Sequence, residues 1–461
     1  MVNRNGRSLR LLALALALTL VAAACGDDDD DVAGGGGGGG GDEQEQPAEG
    51  EIDVAEGVTV DTEDCPSGWS DTAGITDTEI RLGISLAESG PFATFGPIDD
   101  GMRAYYDYLN ENDPIVEGKS IELVGRDDAY DPARTLSNVE EMLQSGDIFA
   151  FDHVVGSPQN LAIQDLLNEE CVPQMLNATG HPAWGDPENY PWTSGGLLSY
   201  NTESQLWCNY VSDELGEGAT VAGLFVDNDF GAAYQQVIED CADEGTIDLV
   251  ESVTVDPTSP DVTDEITTIS ASGADVAMLG LSGSFCSQAM AAIAQSSWDP
   301  MTLLSNTCQS IATYFTPVDP AGDGVLTLAY VKEIGDPRWA DDEAVQLARQ
   351  ILTDAGLDPD RGAAITGVQF GMQTEPFLRA AAEMEGGLTR TNLLKAIWNS
   401  DHVDALQFDG MQVKTDGVND AYMVEGARFA EYTYDEASGE GTYEYVTDLI
   451  NVEGETGVYD G

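Results

Sequence analysis

The sequence predicts an α/β protein built from two doubly wound parallel-sheet lobes. From Glu79 onward, short apolar runs rich in β-branched residues alternate with longer amphipathic stretches. This alternation is typical of a parallel sheet that helices cover on both faces. The pattern restarts after about Tyr200, and two such series indicate two sheets. A chain of 461 residues is long enough for two or three domains with full cores.

The first series contains four strands and three helices. The predicted strands are Ile80–Leu86, Ile121–Arg126, Phe149–Val155 and Val172–Leu176, and the predicted helices are Gly101–Asn110, Pro132–Gln144 and Asn160–Glu169. The second series repeats this order with strands Thr220–Val226, Leu249–Val255, Val276–Leu281 and Met301–Ser305 and helices Glu203–Leu215, Ala232–Glu244, Val262–Ala271 and Ser287–Ala294.

In the last third of the chain, the residue pattern predicts one further strand, three helices and a β-rich end. The strand lies near Val325–Val331, the helices are Asp342–Ala355, Ala364–Glu383 and Arg390–Asn399, and the β-rich part runs from Gln407 to Ile450.

The charge of the chain excludes several classes of partner. There are 84 acidic and 17 basic residues, which give a net charge of −67. Non-specific nucleic-acid binding requires a basic face, and docking on anionic lipid relies on basic residues, so neither is expected. The excess of acid favours solvation in salty or acidic surroundings over a specific cationic partner, and both interpretations stay open.

The first 25 residues predict secretion and lipid attachment. Arg4, Arg7 and Arg10 precede the apolar run Leu11–Ala24, whose 14 residues are fewer than the roughly 20 that span a bilayer. Residues 1–24 therefore have the pattern of a signal peptide. Small residues directly before Cys25 resemble the bacterial lipobox, which implies cleavage before Cys25 and its acylation. Ordinary secretion with a chance cysteine is the alternative.

Residues 25–73 are predicted to form a disordered, lipid-anchored tether and leader. They contain the runs Asp27–Asp31 and Gly34–Gly41, and no Lys or Arg occurs between Cys25 and Ile80. Such a composition buries too little apolar surface to offset the entropy of ordering. The glycine run is not a phosphate loop, because no strand precedes it and no Lys-Ser/Thr follows.

Six cysteines beyond Cys25 predict three disulfides, because their number is even and the compartment is oxidising. Fifteen pairings are possible, and the sequence alone does not choose among them. Topology favours Cys286–Cys308, which follow two strand-like runs, and Cys208–Cys241, which fall on successive helices; Cys65–Cys171 remains. The cysteines lack the close spacing of zinc sites, and neither a metal site nor a cofactor is predicted.

The loops after the strands are the predicted ligand site, because open α/β sheets bind ligands beyond the carboxyl ends of their strands. These loops are Glu88–Gly96, Gly156–Gln159, Asn177–His181, Asp227–Gly231, Leu281–Phe285 and Ser305–Gln309. Ser157 followed by Pro158 predicts a helix start with Ser157 as the N-cap. The amides at such an end favour a carboxylate, although Ser157 could merely cap its own helix.

Most of residues 79–430 resembles the type I periplasmic substrate-binding proteins, and within them the branched-chain amino-acid, amide and urea binding family of ABC importers. The similar stretches are Ile80–Ile84, Ser89–Pro91, Phe95–Gly96, Asp127–Pro132 and Asp229–Gly231. The resemblance implies that two lobes joined by a three-strand hinge close over one small solute and deliver it to an ABC permease. The implied crossovers lie near Leu198–Thr202, Tyr330–Gly335 and Gln407–Lys414. Lobe 1 then comprises residues 74–199 and 332–410, and lobe 2 comprises residues 200–331 and 411–461.

The same resemblance implies the ligand-binding residues. They are Phe95, Ser157, Gln159, Ala178, Thr179, Phe230, Ser282, Thr307 and Phe370. Thr307 stands where amino-acid binders carry the acid that pairs with the ligand's ammonium, so a zwitterionic ligand is less certain, although Asp227 or Asp229 could supply the charge. The phenylalanines favour a branched-chain or aromatic amino acid, an amide or a related carboxylate.

Two other functional classes compete with a transport subunit. A ligand-sensing receptor on the same fold, without transport, is the main alternative. No catalytic residues are predicted, because neither G-x-S-x-G nor H-E-x-x-H occurs, although a Ser157–His181 pair is conceivable. The expected location is extracytoplasmic, with the membrane contacted only through the N-terminal lipid.

Overall fold

The computed structural model describes residues 50–454. The predicted signal peptide, the lipid-bearing Cys25 and the Asp- and Gly-rich runs lie outside the described residues. Among residues 50–454, none of the helices combines the length and hydrophobicity that a bilayer-spanning helix requires.

The described chain begins with an ordered β-hairpin. Its strands β1 (Glu51–Ala55) and β2 (Val58–Asp61) pair antiparallel and bury Val54, Val58 and Val60. The side chain of Asn399 donates a hydrogen bond to the carbonyl of Val54 at 2.8 Å, which holds the hairpin on the body. The prediction of disorder over residues 25–73 is therefore wrong for residues 50–73. The alternating valines make an apolar strand face that the acidic composition of the whole segment conceals.

The first sheet has five parallel strands in the order β4-β3-β5-β6-β7. They are β3 (Glu79–Leu86), β4 (Ser120–Asp127), β5 (Ala150–Asp152), β6 (Gln174–Asn177) and β7 (Thr193–Gly195). β5 is shorter than the predicted Phe149–Val155, because the backbone turns at His153, whose φ is +51°. Every residue of β6 is buried, as expected when helices cover both faces of a sheet.

The second sheet repeats this topology and extends it. Its parallel part runs β9-β8-β10-β11-β12, and antiparallel strands follow beyond β12. The strands of its parallel part are β8 (Ala219–Val226), β9 (Ile247–Val255), β10 (Val276–Gly280), β11 (Met301–Leu304) and β12 (Leu326–Ala329). Next in the chain come β13 (Asp401–His402) and β14 (Val413–Lys414), which form a separate two-stranded sheet. The antiparallel strands of the second sheet are β15 (Gly426–Asp435), β16 (Glu440–Tyr445) and β17 (Ile450–Asn451). The prediction of two doubly wound sheets is confirmed.

Ten α-helices cover the sheets within residues 50–454. They are α1 (Pro97–Asn112), α2 (Pro132–Gln144), α3 (Ser157–Glu169), α4 (Tyr200–Leu215), α5 (Asp229–Asp243), α6 (Thr263–Ala271), α7 (Ser284–Gln295), α8 (Glu343–Asp354), α9 (Ala364–Glu383) and α10 (Arg390–Trp398). α8, α9 and α10 follow the second sheet in sequence but pack on or next to α1, so they belong to the first lobe.

Two of the segments that connect the lobes lie side by side. The chain passes from β7 to α4 through residues 196–199, and residues 330–332 run antiparallel to residues 406–408 through the Val331–Gln407 bridge. The segment after this bridge returns to the first lobe, where β14 pairs with β13 and the Tyr422 hydroxyl donates to the carbonyl of Pro182. The final entry into the second sheet is thus at Gly426. The prediction that residues 411–425 belong to lobe 2 is therefore wrong. The predicted crossover Gln407–Lys414 is the place where the chain passes the hinge, and not the place where it enters the second sheet.

Three disulfides join the six described cysteines: Cys65–Cys171, Cys208–Cys241 and Cys286–Cys308. The last two are the pairs that topology favoured, and Cys65–Cys171 is the pair that remained. The first ties the leader to the turn that precedes β6. The indole of Trp69 donates a hydrogen bond to the carbonyl of Cys171 at 2.8 Å beside it. The leader is therefore a packed part of the first lobe.

Candidate functional site

A cavity lies between the carboxyl edges of the two sheets. It contains about 850 Å³ of empty space, part of it open to solvent. Residues of both lobes and of the crossovers line it, including Phe95, Tyr130, Gly156, Ala178, Tyr200, Phe230, Ser282, Asn306, Thr307, Gln309, Tyr314, Tyr330, Glu333, Gln369 and Phe370. Its position agrees with the general rule that open α/β sheets bind ligands beyond the ends of their strands.

The two lobes touch each other beside this cavity. The Ser284 hydroxyl donates a hydrogen bond to the carbonyl of Pro91 at 3.0 Å, across the cleft. The rings of Phe92 and Phe285 meet edge to face with their centroids 5.7 Å apart. Phe92 is 1% exposed, so this contact excludes water at the rim. The chain is therefore in a closed arrangement.

Six of the nine residues that the sequence singled out for ligand binding line the cavity: Phe95, Ala178, Phe230, Ser282, Thr307 and Phe370. The three phenylalanines come from the loop after β3, the start of α5 and the middle of α9. All three are less than a tenth exposed. The three rings therefore line the cavity and are at the same time packed in the core.

The other three residues, Ser157, Gln159 and Thr179, are buried behind the wall. The Ser157 and Thr179 hydroxyls hydrogen-bond each other at 2.6 Å. Gly156 is the N-cap of α3, so the prediction of Ser157 as the N-cap was wrong by one residue. Gly156 lines the cavity with φ at +104°, and a Cβ there would lie 2.2 Å from Oε1 of Gln159. Gly156 therefore lines the cavity, whereas the Ser157 hydroxyl is occupied by Thr179.

Four tyrosines that the sequence analysis did not select complete the aromatic wall. They are Tyr130, Tyr200, Tyr314 and Tyr330. Burial raises the pKa of each phenol, so all four are neutral hydrogen-bonding groups at neutral pH. Tyr130, Tyr200 and Tyr330 fall within stretches that the resemblance had already marked, which is the signal that could have found them.

Glu333 is the only ionisable acid or base, tyrosines aside, among the residues that line the cavity. It is 7% exposed, and its Oε1 atom has no hydrogen-bond partner. Burial, together with the nearby negative charge of Asp336, raises the pKa of this carboxyl to about 8. Neither Asp227 nor Asp229 lines the cavity, so they do not replace the acid missing at Thr307. The sequence analysis missed Glu333 because it selected no loop after β12, where the chain crosses back to the first lobe.

A buried carboxylate holds Asn306 at the floor of the cavity. Oε1 of Glu203 accepts a hydrogen bond from the backbone N–H of Asn306 at 2.7 Å, and the Asn306 side chain donates to Oε2. The Tyr234 hydroxyl donates to the same carboxylate at 2.6 Å. Burial raises the pKa of Glu203 to about 8 although these donors oppose the shift. The network fixes the loop that carries Asn306 and Thr307.

A second buried network supports Phe370 from behind. The His153 ring stacks on Phe370 with the centroids 4.2 Å apart, and its Nδ1 lies 2.8 Å from Asp152. Asp152 also accepts hydrogen bonds from the hydroxyls of Tyr106 and Thr374. Phe370 is thereby held in one orientation at the cavity wall.

His181 is expected to make stability depend on pH. Its Nδ1 accepts a hydrogen bond from the N–H of Ala183 at 3.2 Å, and burial lowers its pKa from 6.5 to about 4. Between those values the unfolded chain binds more protons at this residue than the folded chain, so the free energy of unfolding falls as the pH is lowered through the window. His181→Asn keeps an acceptor for Ala183 but does not titrate.

We expect urea unfolding between pH 7 and pH 4 to show a smaller loss of stability for His181→Asn than for the unmodified protein. Both proteins share every other titrating group, so the difference between their pH slopes isolates His181. Equal slopes would contradict the assigned pKa shift.

Comparison with known proteins matches this geometry to one family. A family model described as periplasmic binding protein matches residues 79–435. No curated protein sequence matches the chain.

Solved structures of similar fold are numerous, and three illustrate them. A fatty acid ABC transporter substrate-binding protein from Thermomonospora curvata has a TM-score of 0.68 at 20% identity and covers 84% of this chain and 96% of its own. A branched chain amino acid ABC transporter protein from Thermus thermophilus with bound valine has a TM-score of 0.69 at 20% identity, with coverages of 82% and 97%. A solute binding protein from R. palustris in complex with 4-hydroxybenzoate has a TM-score of 0.66 at 17% identity, with coverages of 81% and 97%. At these identities the likeness is one of fold.

Proposed function

The chain belongs to the periplasmic binding protein family, and on that premise we propose that it captures one small solute between its lobes and delivers it to an ABC permease. The observation that carries this proposal is the aromatic-walled cavity between the carboxyl edges of two parallel sheets. The family also supports an extracytoplasmic location. The signal peptide pattern of residues 1–24 and the lipobox-like residues before Cys25 support attachment through an N-terminal lipid.

The chemistry of the wall favours an amine-bearing carboxylic acid with an apolar side chain. Seven phenylalanine and tyrosine rings line the cavity and suit a branched-chain or aromatic group. Glu333 supplies the negative charge that Thr307 lacks, and a buried ammonium requires such a partner. An amide or a carboxylate without an amine would leave Glu333 protonated and is therefore the second choice.

The carboxylate end of this solute would face the start of α3. Gly156 lines the cavity, and no side chain caps the helix there. The positive end of the helix dipole and its amides favour an anion. The polar ends of an amino acid would thus be divided between Gly156 in the first lobe and Glu333 on the crossover.

Closure would follow from contacts that exist only when the lobes meet. Ala178 and Phe95 belong to the first lobe, whereas Phe230, Ser282 and Thr307 belong to the second. A solute held by the first lobe gains the second set only in the closed form, and this differential affinity shifts the population towards closure. The closed form would be the one that docks on the permease.

Calorimetry over a panel of branched-chain and aromatic amino acids, their amides, urea and aromatic acids tests the proposal. We expect one solute class to bind at one site per chain. Ala178→Leu should weaken its binding by about tenfold or more, because the added methylenes occupy a packed wall.

Ala437→Leu is the matched control, since Ala437 is exposed on the turn between β15 and β16. Its affinity should equal that of the unmodified protein. The proposed site is wrong if a solute of the panel binds Ala178→Leu as tightly as the control while circular dichroism shows both variants folded.

A further inference from the structure

Three carboxylates meet where the chain enters the second sheet for the last time. One side-chain oxygen from each of Asp420, Glu425 and Glu453 lies within 4.8 Å of the other two. Asp420 is 5% exposed and Glu425 is 3% exposed. We call these three residues the carboxylate cluster. It stands apart from the solute cavity, whose lining includes none of them.

The sheet itself brings these residues together. Glu425 directly precedes β15, and Glu453 follows β17, whose Asn451 pairs with Gly426 of β15. The N–H of Val452 donates to the carbonyl of Glu425 at 2.8 Å, and the N–H of Gly454 donates to its Oε2 at 2.7 Å. The backbone therefore holds Glu425 and Glu453 next to each other although their carboxylates repel.

Two side-chain oxygens of this cluster, one on Asp420 and one on Glu453, lack hydrogen-bond partners. Lys414 places its Nζ 3.4 Å from Oδ2 of Asp420 and 3.6 Å from Oε1 of Glu453, which is longer than a well-formed charge-assisted hydrogen bond. Oδ1 of the nine-tenths buried Asp420 has no hydrogen-bond partner, and neither has Oε1 of Glu453. One half-exposed ammonium thus faces two carboxylates with unused oxygens, and such an arrangement points to a further cation.

The geometry fits a hard divalent cation of the size of Ca²⁺. Ca²⁺ binds oxygens at about 2.3–2.6 Å, so two oxygens on one ion are at most about 5 Å apart. The observed limit of 4.8 Å lies within that span. Mg²⁺ requires about 2.1 Å and strict octahedral geometry, whereas Ca²⁺ accepts irregular sets of carboxylate oxygens such as those contributed by three separate segments here. The cluster offers no nitrogen or sulfur ligand for a softer metal.

We propose that the carboxylate cluster binds Ca²⁺ and thereby fastens the entry into β15 to the segment after β17. Three side chains leave several coordination positions to water, so the affinity should be in the range of extracellular sites, roughly 10⁻⁴–10⁻³ M. The sequence analysis predicted no metal site, because these residues are distant in sequence and form no loop motif. The proposal does not depend on which solute the cavity holds.

Thermal unfolding with CaCl₂ tests this, with MgCl₂ and NaCl at matched ionic strength as references. Saturating Ca²⁺ should raise the melting temperature of the full chain by about 1–3 °C, because binding to the folded state alone stabilises it. Asp420→Asn should remove this rise. Asp416→Asn should keep it, since Asp416 is exposed on the same segment and outside the cluster.

The control is needed because a chain with a net charge of −67 attracts any cation. An equal rise in both variants, or an equal rise with MgCl₂, would mean diffuse screening and would overturn the proposal. Glu453→Gln provides a second variant if Asp420→Asn does not fold, because Glu453 is only partly buried. Calorimetric titration with Ca²⁺ should then show a dissociation constant raised by at least about tenfold, and an unchanged constant would also overturn the proposal.

Discussion

Replacing Glu333 with glutamine is expected to weaken the binding of an amine-bearing solute by about two to three orders of magnitude. The carboxyl is 7% exposed, its Oε1 has no partner, and no Lys, Arg or His lies among the residues that line the cavity. Removing one member of a buried charge pair costs about 3–5 kcal/mol, since the other charge is left desolvated. Gln is nearly isosteric, so the cavity keeps its shape.

The same residue should make solute affinity depend on pH. The pKa of Glu333 in the free protein is raised to about 8, so below pH 8 the carboxyl must lose a proton before it can pair with an ammonium. Affinity should therefore rise with pH up to about 8, by up to tenfold for each pH unit, and Glu333→Gln should abolish this slope. Calorimetry in buffers of different ionisation enthalpy should detect the released proton.

Asp227→Asn is the matched control, because Asp227 is exposed near the cleft but does not line the cavity. It replaces one carboxyl with an amide in the same way and should leave both the solute affinity and its pH slope unchanged. If Glu333→Gln bound the solute as tightly as the control and kept the pH slope, Glu333 would not contact the ligand. Loss of all binding by a neutral solute as well would instead indicate damage to the cavity.

Replacing Arg390 with methionine is expected to lower the free energy of unfolding by about 3–5 kcal/mol. Arg390 is 4% exposed and donates hydrogen bonds to the carbonyls of Phe149, Cys171 and Ile148. Burial lowers its pKa to about 10, so the guanidinium stays charged at neutral pH. Methionine preserves much of the apolar stem but removes the guanidinium donors of the Phe149 and Ile148 carbonyls, each loss costing about 1–3 kcal/mol. The Cys171 carbonyl keeps the hydrogen bond from the Trp69 indole.

Arg361→Met provides the comparison, because Arg361 is exposed and makes no ion pair among the described residues. Its effect should stay within about 0.5 kcal/mol. Urea unfolding monitored by fluorescence and circular dichroism measures both variants. A loss below about 1 kcal/mol for Arg390→Met would show that water replaces the guanidinium at these carbonyls, and the site would then be less buried than the structure indicates.

Arg390 also explains why the leader is ordered. The backbone N–H of Arg390 donates a hydrogen bond to the carbonyl of Asp71 at 2.8 Å. The backbone N–H and the hydroxyl of Thr391 both donate to the Asp71 carboxylate. These contacts and the Cys65–Cys171 disulfide bind the leader to α10 and to the start of β6. Composition predicted disorder there because it averages over a long segment, whereas a few well-placed side chains decide whether a short one packs.

The elements of the fold were largely predictable from local pattern. The structure confirms the helices Pro132–Gln144 and Ala364–Glu383 with the predicted bounds, and the strands of both series lie within a few residues of the expected ones. Hydrophobic periodicity carries this information, because a buried strand and an amphipathic helix differ in period. The predicted third crossover failed, since the chain passes the hinge at residues 406–408, returns to the first lobe and enters the second sheet only at Gly426.

The candidate site was predictable only in part. The rule about strand ends correctly selected the loops that carry Phe95, Ala178, Phe230, Ser282 and Thr307. It could not show that Ser157 turns its hydroxyl towards Thr179, because a shift of one residue at a helix start rotates the side chain away from the cavity. The selected loops also missed Glu333, because none of them followed β12, where the chain crosses between the lobes.

The amino-acid sequence alone determined the repeated α/β series, the even set of cysteines and the loops that could meet a solute. Tertiary structure decided which cysteines pair, that Gly156 and Glu333 line the cavity, and that Asp420, Glu425 and Glu453 converge. The physical reason is that periodicity along a chain reports only whether a side chain is buried. Which groups share a buried space depends on how distant segments pack, and a buried charge acquires its pKa and its partner only there.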